Sequence, residues 1–127
     1  MKNYSRQREA ILDVLRSTDT HPTANWIYGK VRERLPNISL GTVYRNLSAL
    51  SEAGEILCIN VGDDFLHYDG DISAHLHLHC KNCGNIVDIS LKNDPLSQMA
   101  LETGFYPENA VYVLTGICKK CKIIGGN

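Results

Sequence analysis

Two Cys-x-x-Cys pairs, Cys80-Lys81-Asn82-Cys83 and Cys118-Lys119-Lys120-Cys121, constrain this chain more than any other feature. Each pair can form a knuckle that offers two thiolates to one ion. Two knuckles complete a tetrahedral sulfur shell, which favours Zn(II). Cysteine fills all four places and leaves no position for water, so the zinc is expected to be structural. Gly84 after the first pair helps the tight turn, and the neighbouring lysines offset the charge of the thiolates. The chain has 127 residues, enough for one domain or two small ones. Domains that small bury little core and need metal, dimerisation or both. A redox reading of Cys-x-x-Cys needs one pair at a helix N-terminus in a thioredoxin-like setting. Neither pair is expected to precede a helix. Cys58 is left over and reads as a small core hydrophobe in a strand.

No apolar run approaches the roughly 18 residues that would span a membrane. The start, Met1-Lys2-Asn3-Tyr4-Ser5, carries no signal-peptide core. A cytoplasmic location is expected, and in that reducing compartment metal ligation is favoured over disulfides. Charge is segregated. Residues 1–50 hold eight Lys/Arg against four acids, a net of +4, and the remainder holds five against ten, a net of −5. A basic front and an acidic back point to an anionic partner at one end and cations at the other.

Apolar spacing predicts a helix over 5–17 with Ile11, Leu12 and Leu15 on one face. Thr23 is a candidate N-cap for a second helix running to about Leu35, with Ala24, Ile27 and Val31 inward and Pro36 as the stop. Ser39 caps a third, about 40–53, with Val43, Leu47 and Leu50 inward and Gly54 at its end. Strands at about 56–61 and 65–69 flank Gly62-Asp63-Asp64, a hairpin by its turn residues. Three helices and a hairpin outline a winged helix-turn-helix. Further on, strands are predicted over His75–Cys80, Ile86–Ser90 and Ala110–Ile117, with a helix over Pro95–Glu102. The fold class is therefore α+β.

With Val43, Leu47 and Leu50 inward, Thr42, Tyr44, Arg45 and Asn46 remain for the other faces of the third helix. A guanidinium, a phenol and a carboxamide at the start of an exposed helix suit base edges and phosphates. The alternative is an ordinary amphipathic helix with a solvated polar face. Four of the five histidines, His67, His75, His77 and His79, cluster around 67–79, and His21 stands alone in the front half. His75 and His77 are two apart on a strand, so both rings leave one face. Asp69 precedes them, and Asp88 lies on the neighbouring predicted strand. Imidazoles with carboxylates suit Fe(II), Mn(II) or Zn(II). Surface histidines on an alternating strand are the bland alternative. An enzyme is not expected: no glutamate stands beside the histidines as a general base, and no nucleophile motif is evident. A zinc-ribbon interaction module remains a rival, and it predicts no metal-dependent DNA binding.

Several stretches together resemble the ferric uptake regulator family, and most its peroxide-sensing branch. They are His21-Pro22-Thr23-Ala24 with Ile27-Tyr28, Thr42-Val43-Tyr44-Arg45-Asn46-Leu47, His75-x-His77-x-x-Cys80-x-x-Cys83-Gly84-x-Ile86-Val87-Asp88, and Gly116-x-Cys118-x-x-Cys121. The resemblance runs from about residue 5 to 121. It implies a winged-helix DNA-binding domain over 1–69, a hinge at 70–74, and a dimerisation and metal-binding domain over 75–127. It implies a homodimeric repressor, without membrane contact, on an inverted-repeat operator in double-stranded DNA. It implies a regulatory Fe(II) or Mn(II) held by His21, Asp69, His75, His77 and Asp88. In the peroxide-sensing branch, bound Fe(II) leads to oxidation of a ligand histidine, here His21 or His75 by position, then to metal loss and release of DNA. Iron-sensing relatives typically carry Glu at the positions of Asp69 and Asp88, and iron and zinc sensors often carry a further histidine at Ala74. An iron- or zinc-responsive repressor acting by reversible binding is the alternative within the family. Two departures stand out. The family's usual extra N-terminal helix is expected to be missing or reduced to a few residues, and His67 and His79 are additional histidines, expected on solvated surface.

Overall fold

The structure is a computed structural model that describes residues 2–73, 75–91, 95–105 and 111–124. Two compact units divide the chain, Met1–Ile72 and Ser73–Asn127. Of the residues in the expected hinge and third strand, Ala74 and Ala110 lie outside the described residues.

The first unit contains α1 (Lys2–Arg16), α2 (Ala24–Val31), α3 (Leu40–Glu52), β1 (Leu57–Asn60) and β2 (Leu66–Asp69). Helical spacing collects Ile11 and Leu15 of α1, Ile27 and Val31 of α2, and Val43, Leu47 and Leu50 of α3 into one core with Ile56 and Tyr68. Each such aliphatic side chain contributes about 1.5–3 kcal/mol on burial, so the unit has a substantial core of its own. The two caps form as expected. Thr23 Oγ1 accepts from the Trp26 amide at 3.4 Å and Ser39 Oγ from the Thr42 amide at 3.1 Å. The α-helical run of α2 stops at Val31 rather than near Leu35. The chain tightens ahead of Pro36 into a turn, closed by Leu35 N–H on the Val31 carbonyl at 2.8 Å. Gly54, at φ +76, lets the Glu55 amide turn back to the Leu50 carbonyl at 3.0 Å and ends α3. β1 and β2 pair antiparallel, Leu57 opposite Asp69 and Asn60 opposite Leu66. The unit is a winged helix-turn-helix.

The second unit contains β3 (His75–Cys80), β4 (Ile86–Ser90), α4 (Pro95–Thr103), β5 (Tyr112–Gly116) and α5 (Lys119–Ile124). β3 is central, antiparallel to β4 and parallel to β5. Residues opposite each other share a sheet face. His77 with Asp88 therefore falls on one face. Leu76 with Ile89 and Tyr112, and Leu78 with Val87 and Leu114, fall on the other. On that second face Val87, Ile89 and Leu114 remain 46–57% exposed. The buried apolar residues of this unit, among the described ones, are Cys80, Ile86 and Cys121. Two of the three are thiols, so this unit leans on its cysteine cluster. Among the described residues no helix is long and apolar enough to cross a membrane.

Candidate metal centres and DNA-facing helix

The thiols of Cys80, Cys83, Cys118 and Cys121 all lie within 4.8 Å of one another. Cys83 Sγ and Cys118 Sγ, one from each pair, are 3.9 Å apart. Four sulfurs about 2.3 Å from one zinc stand roughly 3.8 Å from each other, so the cluster fits Zn(II) in size and donor type. The knuckles are prearranged by backbone. Cys80 Sγ accepts from the amides of Cys83 at 3.5 Å and Cys118 at 3.3 Å, and Cys118 Sγ from the Cys121 amide at 3.5 Å. Gly84 takes φ +79, and its amide returns to the Cys80 carbonyl at 2.8 Å. The Cys83 and Cys118 amides pull the Cys80 thiol down to about 6. At Cys121 an Asn82 hydrogen bond works downward, but the Cys118 thiol and burial outweigh it and push the group up to about 11. One expectation needs correction. The second pair does lead into a helix, since α5 begins at Lys119, directly after Cys118. The pair still closes on Cys80 and Cys83 rather than standing alone as a redox pair.

The histidines and aspartates form a pair in the first unit and a trio in the second. In the first, His21 Nε2 stands 3.3 Å from Asp69 Oδ2, with His21 3% and Asp69 7% exposed. His21 takes the left-handed φ of +55, rare for a residue with a side chain and a mark of a site where geometry outranks local comfort. Asp69 Oδ1 accepts from the Asp71 amide at 2.9 Å, which orients the carboxylate. In the second unit, His75 and His77 are buried with ring centroids 4.3 Å apart. Their Nε2 atoms stand 3.5 and 3.6 Å from the Asp88 carboxylate. Nδ1 of His75 donates to the Ser73 carbonyl at 2.6 Å, and Nδ1 of His77 to the Tyr112 carbonyl at 3.2 Å. Those bonds set the tautomer and leave Nε2 as the lone-pair nitrogen, the arrangement usual for metal-binding histidine. Ligands about 2.1 Å from one octahedral ion stand about 3 Å apart. The nitrogen–oxygen distances in both units are close to that spacing. Nitrogen with carboxylate oxygen is a donor set for Fe(II), Mn(II) or Zn(II).

On α3, Thr42 is half-buried while Tyr44 and Arg45 are exposed, and Arg45 donates to Thr42 Oγ1 at 2.9 Å. Asn46 departs from expectation. It is 3% exposed, and its Nδ2 donates to the Thr42 carbonyl at 2.9 Å. The carboxamide reaches back one turn with its Nδ2, while its Oδ1 is buried without a hydrogen-bond partner among the described residues, so Asn46 is not on the outward face.

The family model described as "Ferric uptake regulator family" matches residues 2–110. The chain belongs to the ferric uptake regulator family. Its relatives include the Peroxide operon regulator of Bacillus subtilis (strain 168), 38% identical over 117 residues, covering 91% of this chain and 81% of that protein. The Peroxide-responsive repressor PerR of Staphylococcus epidermidis is 36% identical, covering 91% and 79%. Among solved structures, the Campylobacter jejuni peroxide stress regulator superposes with a TM-score of 0.81 at 31% identity, covering 94% of this chain and 91% of that one. The ferric uptake regulator of Helicobacter pylori, at 22% identity and a TM-score of 0.73, shares the fold.

As a member of this family the chain carries two histidines whose placement composition did not foretell. His79 is 7% exposed rather than solvated, because it follows His75 and His77 on the same side of β3. His67 is half-buried, and both its ring nitrogens are engaged, one by Asp63 and one by the His21 carbonyl. The signal was present in the period of two from His67 to Asp69, but its partners are set by how β2 lies along the loop before α2.

Proposed function

We propose that this chain is a cytoplasmic, homodimeric, metal-dependent transcription repressor that binds an inverted-repeat operator and senses hydrogen peroxide. It is not an enzyme. The observation that carries the reading is the pair of matching donor groups: buried His21 with Asp69 at 3.3 Å, and His75 and His77 with Asp88 at 3.5 and 3.6 Å. Among the described residues the first offers two donors and the second three. Together they supply three imidazoles and two carboxylates, a set for Fe(II) or Mn(II) with room for one further small ligand. An ion that needs donors from both units fixes one against the other through a hinge at 70–74. In a dimer that sets the spacing of the two α3 helices, which must match half-sites about one helical turn of DNA apart. Thr42, Tyr44 and Arg45 are the residues of α3 that we assign to DNA contact, and the exposure of Tyr44 and Arg45 supports this.

The apolar sheet face of Val87, Ile89 and Leu114 supports dimerisation through the second unit, by burial of exposed aliphatic surface. The printed names of the Bacillus and Staphylococcus relatives support peroxide as the signal. Asp at both 69 and 88, where the iron-sensing relatives typically carry Glu, supports the same branch. If held there, Fe(II) would supply the redox chemistry that splits hydrogen peroxide; in the net reaction an imidazole C–H becomes C–OH, the peroxide is reduced to water, and the iron ends in its starting state. By their positions in the family resemblance, His21 and His75 are the imidazoles that would take that oxygen. An oxidised His21 or His75 would be a poorer donor, so the site would lose its ion and the hinge would be freed. With Mn(II), which does not perform this reaction, the protein binds its operator and ignores peroxide.

The test is anaerobic loading with Fe(II) followed by a peroxide pulse and peptide mass analysis. A gain of one oxygen on the peptide containing His21 or His75, together with loss of operator binding, is expected. Reversible metal loss with no modification of either peptide would replace this reading by that of an iron or zinc sensor.

A further inference from the structure

We propose that His67 is a positioning residue for His21, and that it ties this ligand to the turn of the wing. The inference rests on the reading of His21 as a ligand. His67 lies on β2, two residues before Asp69, and its side chain is 13% exposed. Its Nδ1 donates to the His21 carbonyl at 2.8 Å, and its Nε2 donates to Asp63 Oδ2 at 2.7 Å. Both bonds are short and both acceptors are backbone-fixed or anchored. Asp63 Oδ1 accepts from the Phe65 amide at 3.2 Å, which seats the carboxylate in the wing turn. The next residue of β2 adds a parallel tether, Tyr68 N–H on the Pro22 carbonyl at 3.0 Å.

The geometry gives these bonds a purpose beyond closing the wing. His21 holds φ +55, a conformation an L-residue keeps only when its surroundings over-determine it. The His67 bond grips the carbonyl on one side of that residue, and the Pro22 carbonyl is gripped on the next. The side chain of His21 then meets Asp69 at 3.3 Å, on the same strand that supplies His67. β2 therefore presents one ligand directly and aims the other through the backbone. The same imidazole reaches the turn that a winged helix lays along the DNA backbone, so a shift of the His21 loop is transmitted to Asp63 through two hydrogen bonds.

The test uses the full-length zinc-loaded protein, with Mn(II) alone as the probe and affinity read by calorimetry. His67→Phe keeps the ring volume and removes both donors. The bond fixes the His21 main chain rather than its ring, and losing one such hydrogen bond is worth about fivefold or somewhat more, so Mn(II) binding should weaken by about five- to tenfold while zinc content is unchanged. His67→Asn restores a donor near the place of Nδ1 and should recover most of the loss. In the metal-free protein, hydrogen exchange at the Tyr68 amide should quicken about fivefold in His67→Phe, the effect of one lost hydrogen bond. Asp63→Ala, which leaves the His21 bond in place, should weaken Mn(II) binding about two- to fivefold, and it serves if His67→Phe does not fold. A His67→Phe protein that binds Mn(II) as tightly as wild type, or an Asn variant no better than Phe, overturns the positioning role. An Asp63→Ala protein with unaltered Mn(II) affinity and Tyr68 exchange overturns the link to the wing. His21→Ala separates the two layers. If it keeps Mn(II) affinity, the ligand reading itself fails. If it loses Mn(II) while His67→Phe keeps it, the inference about His67 fails alone.

Discussion

Replacing Cys83 by Ser tests how the second unit is held together. Cys83 Sγ is 3.9 Å from Cys118 Sγ and joins the first knuckle to the second. Binding of zinc to a four-ligand site is worth about 10–16 kcal/mol of folding free energy near neutral pH. A whole domain is typically stable by only about 5–15 kcal/mol. Unit two has little else to draw on. Its buried apolar residues among the described ones are Cys80, Ile86 and Cys121, and burying Ile86 contributes about 2–3 kcal/mol. Loss of the ion therefore exceeds the stability it supports, and β3, β4 and β5 should come apart together with the dimer. The first unit has its own aliphatic core and should stay folded. Because α1, α2 and α3 hold 15, 8 and 13 residues against 9 and 6 in α4 and α5, most of the helical circular dichroism should survive. Size-exclusion chromatography should show a monomer, and a thiol reagent should modify the three remaining ligands rapidly. A Cys83→Ser protein that carries no zinc yet elutes as a dimer with an unchanged melting profile would refute this account.

Three further outcomes follow from the same structure. Asp88→Glu should keep Mn(II)-dependent operator binding but lower the yield of oxidised His21 and His75 peptide several-fold, because a longer carboxylate rearranges the site; equal oxidation in the two proteins counts against the role of Asp88. Arg45→Ala should weaken operator binding by about 5- to 150-fold, equivalent to 1–3 kcal/mol, while Mn(II) affinity measured without DNA stays unchanged; unaltered operator affinity removes Arg45 from the interface. Burial, with the nearby Cys58 and Tyr44, pushes the Tyr68 phenol up from 10.0 to about 12. Its neutral form is the one the fold favours, so its stabilisation is complete below pH about 10 and is lost as pH rises through about 12. An alkaline absorbance titration should show a late tyrosine that disappears in Tyr68→Phe, and a titration identical in the two proteins contradicts that burial.

Much of this was legible along the chain because it depends on local period and chemistry. A period of 3.6 set Ile11, Leu15, Ile27, Val31, Val43, Leu47 and Leu50 inward, and that is the core observed. A period of two placed His75 and His77 together on β3, and hydroxyls at Thr23 and Ser39 marked helix starts. The two Cys-x-x-Cys pairs prescribed a sulfur shell, because thiolate geometry is local to each knuckle. Other features escaped. The end of α2 at Val31 was set by a turn that competes with the helix ahead of Pro36. The burial of Asn46 came from its reach to the Thr42 carbonyl, and the start of α5 within the second cysteine pair had no apolar period to announce it.

What the sequence determined by itself is the inventory: which residues face inward, which four sulfurs belong together, and which imidazoles and carboxylates are available. Only the tertiary structure decided the pairings that orient them. His21 lies 46 positions before His67, and Tyr112 lies 35 beyond His77, yet these pairs meet through hydrogen bonds to backbone carbonyls. A carbonyl belongs to every residue alike, so no side-chain pattern records which one a histidine will find. That choice is made when strands and loops pack, by register and by the need to satisfy every buried polar group.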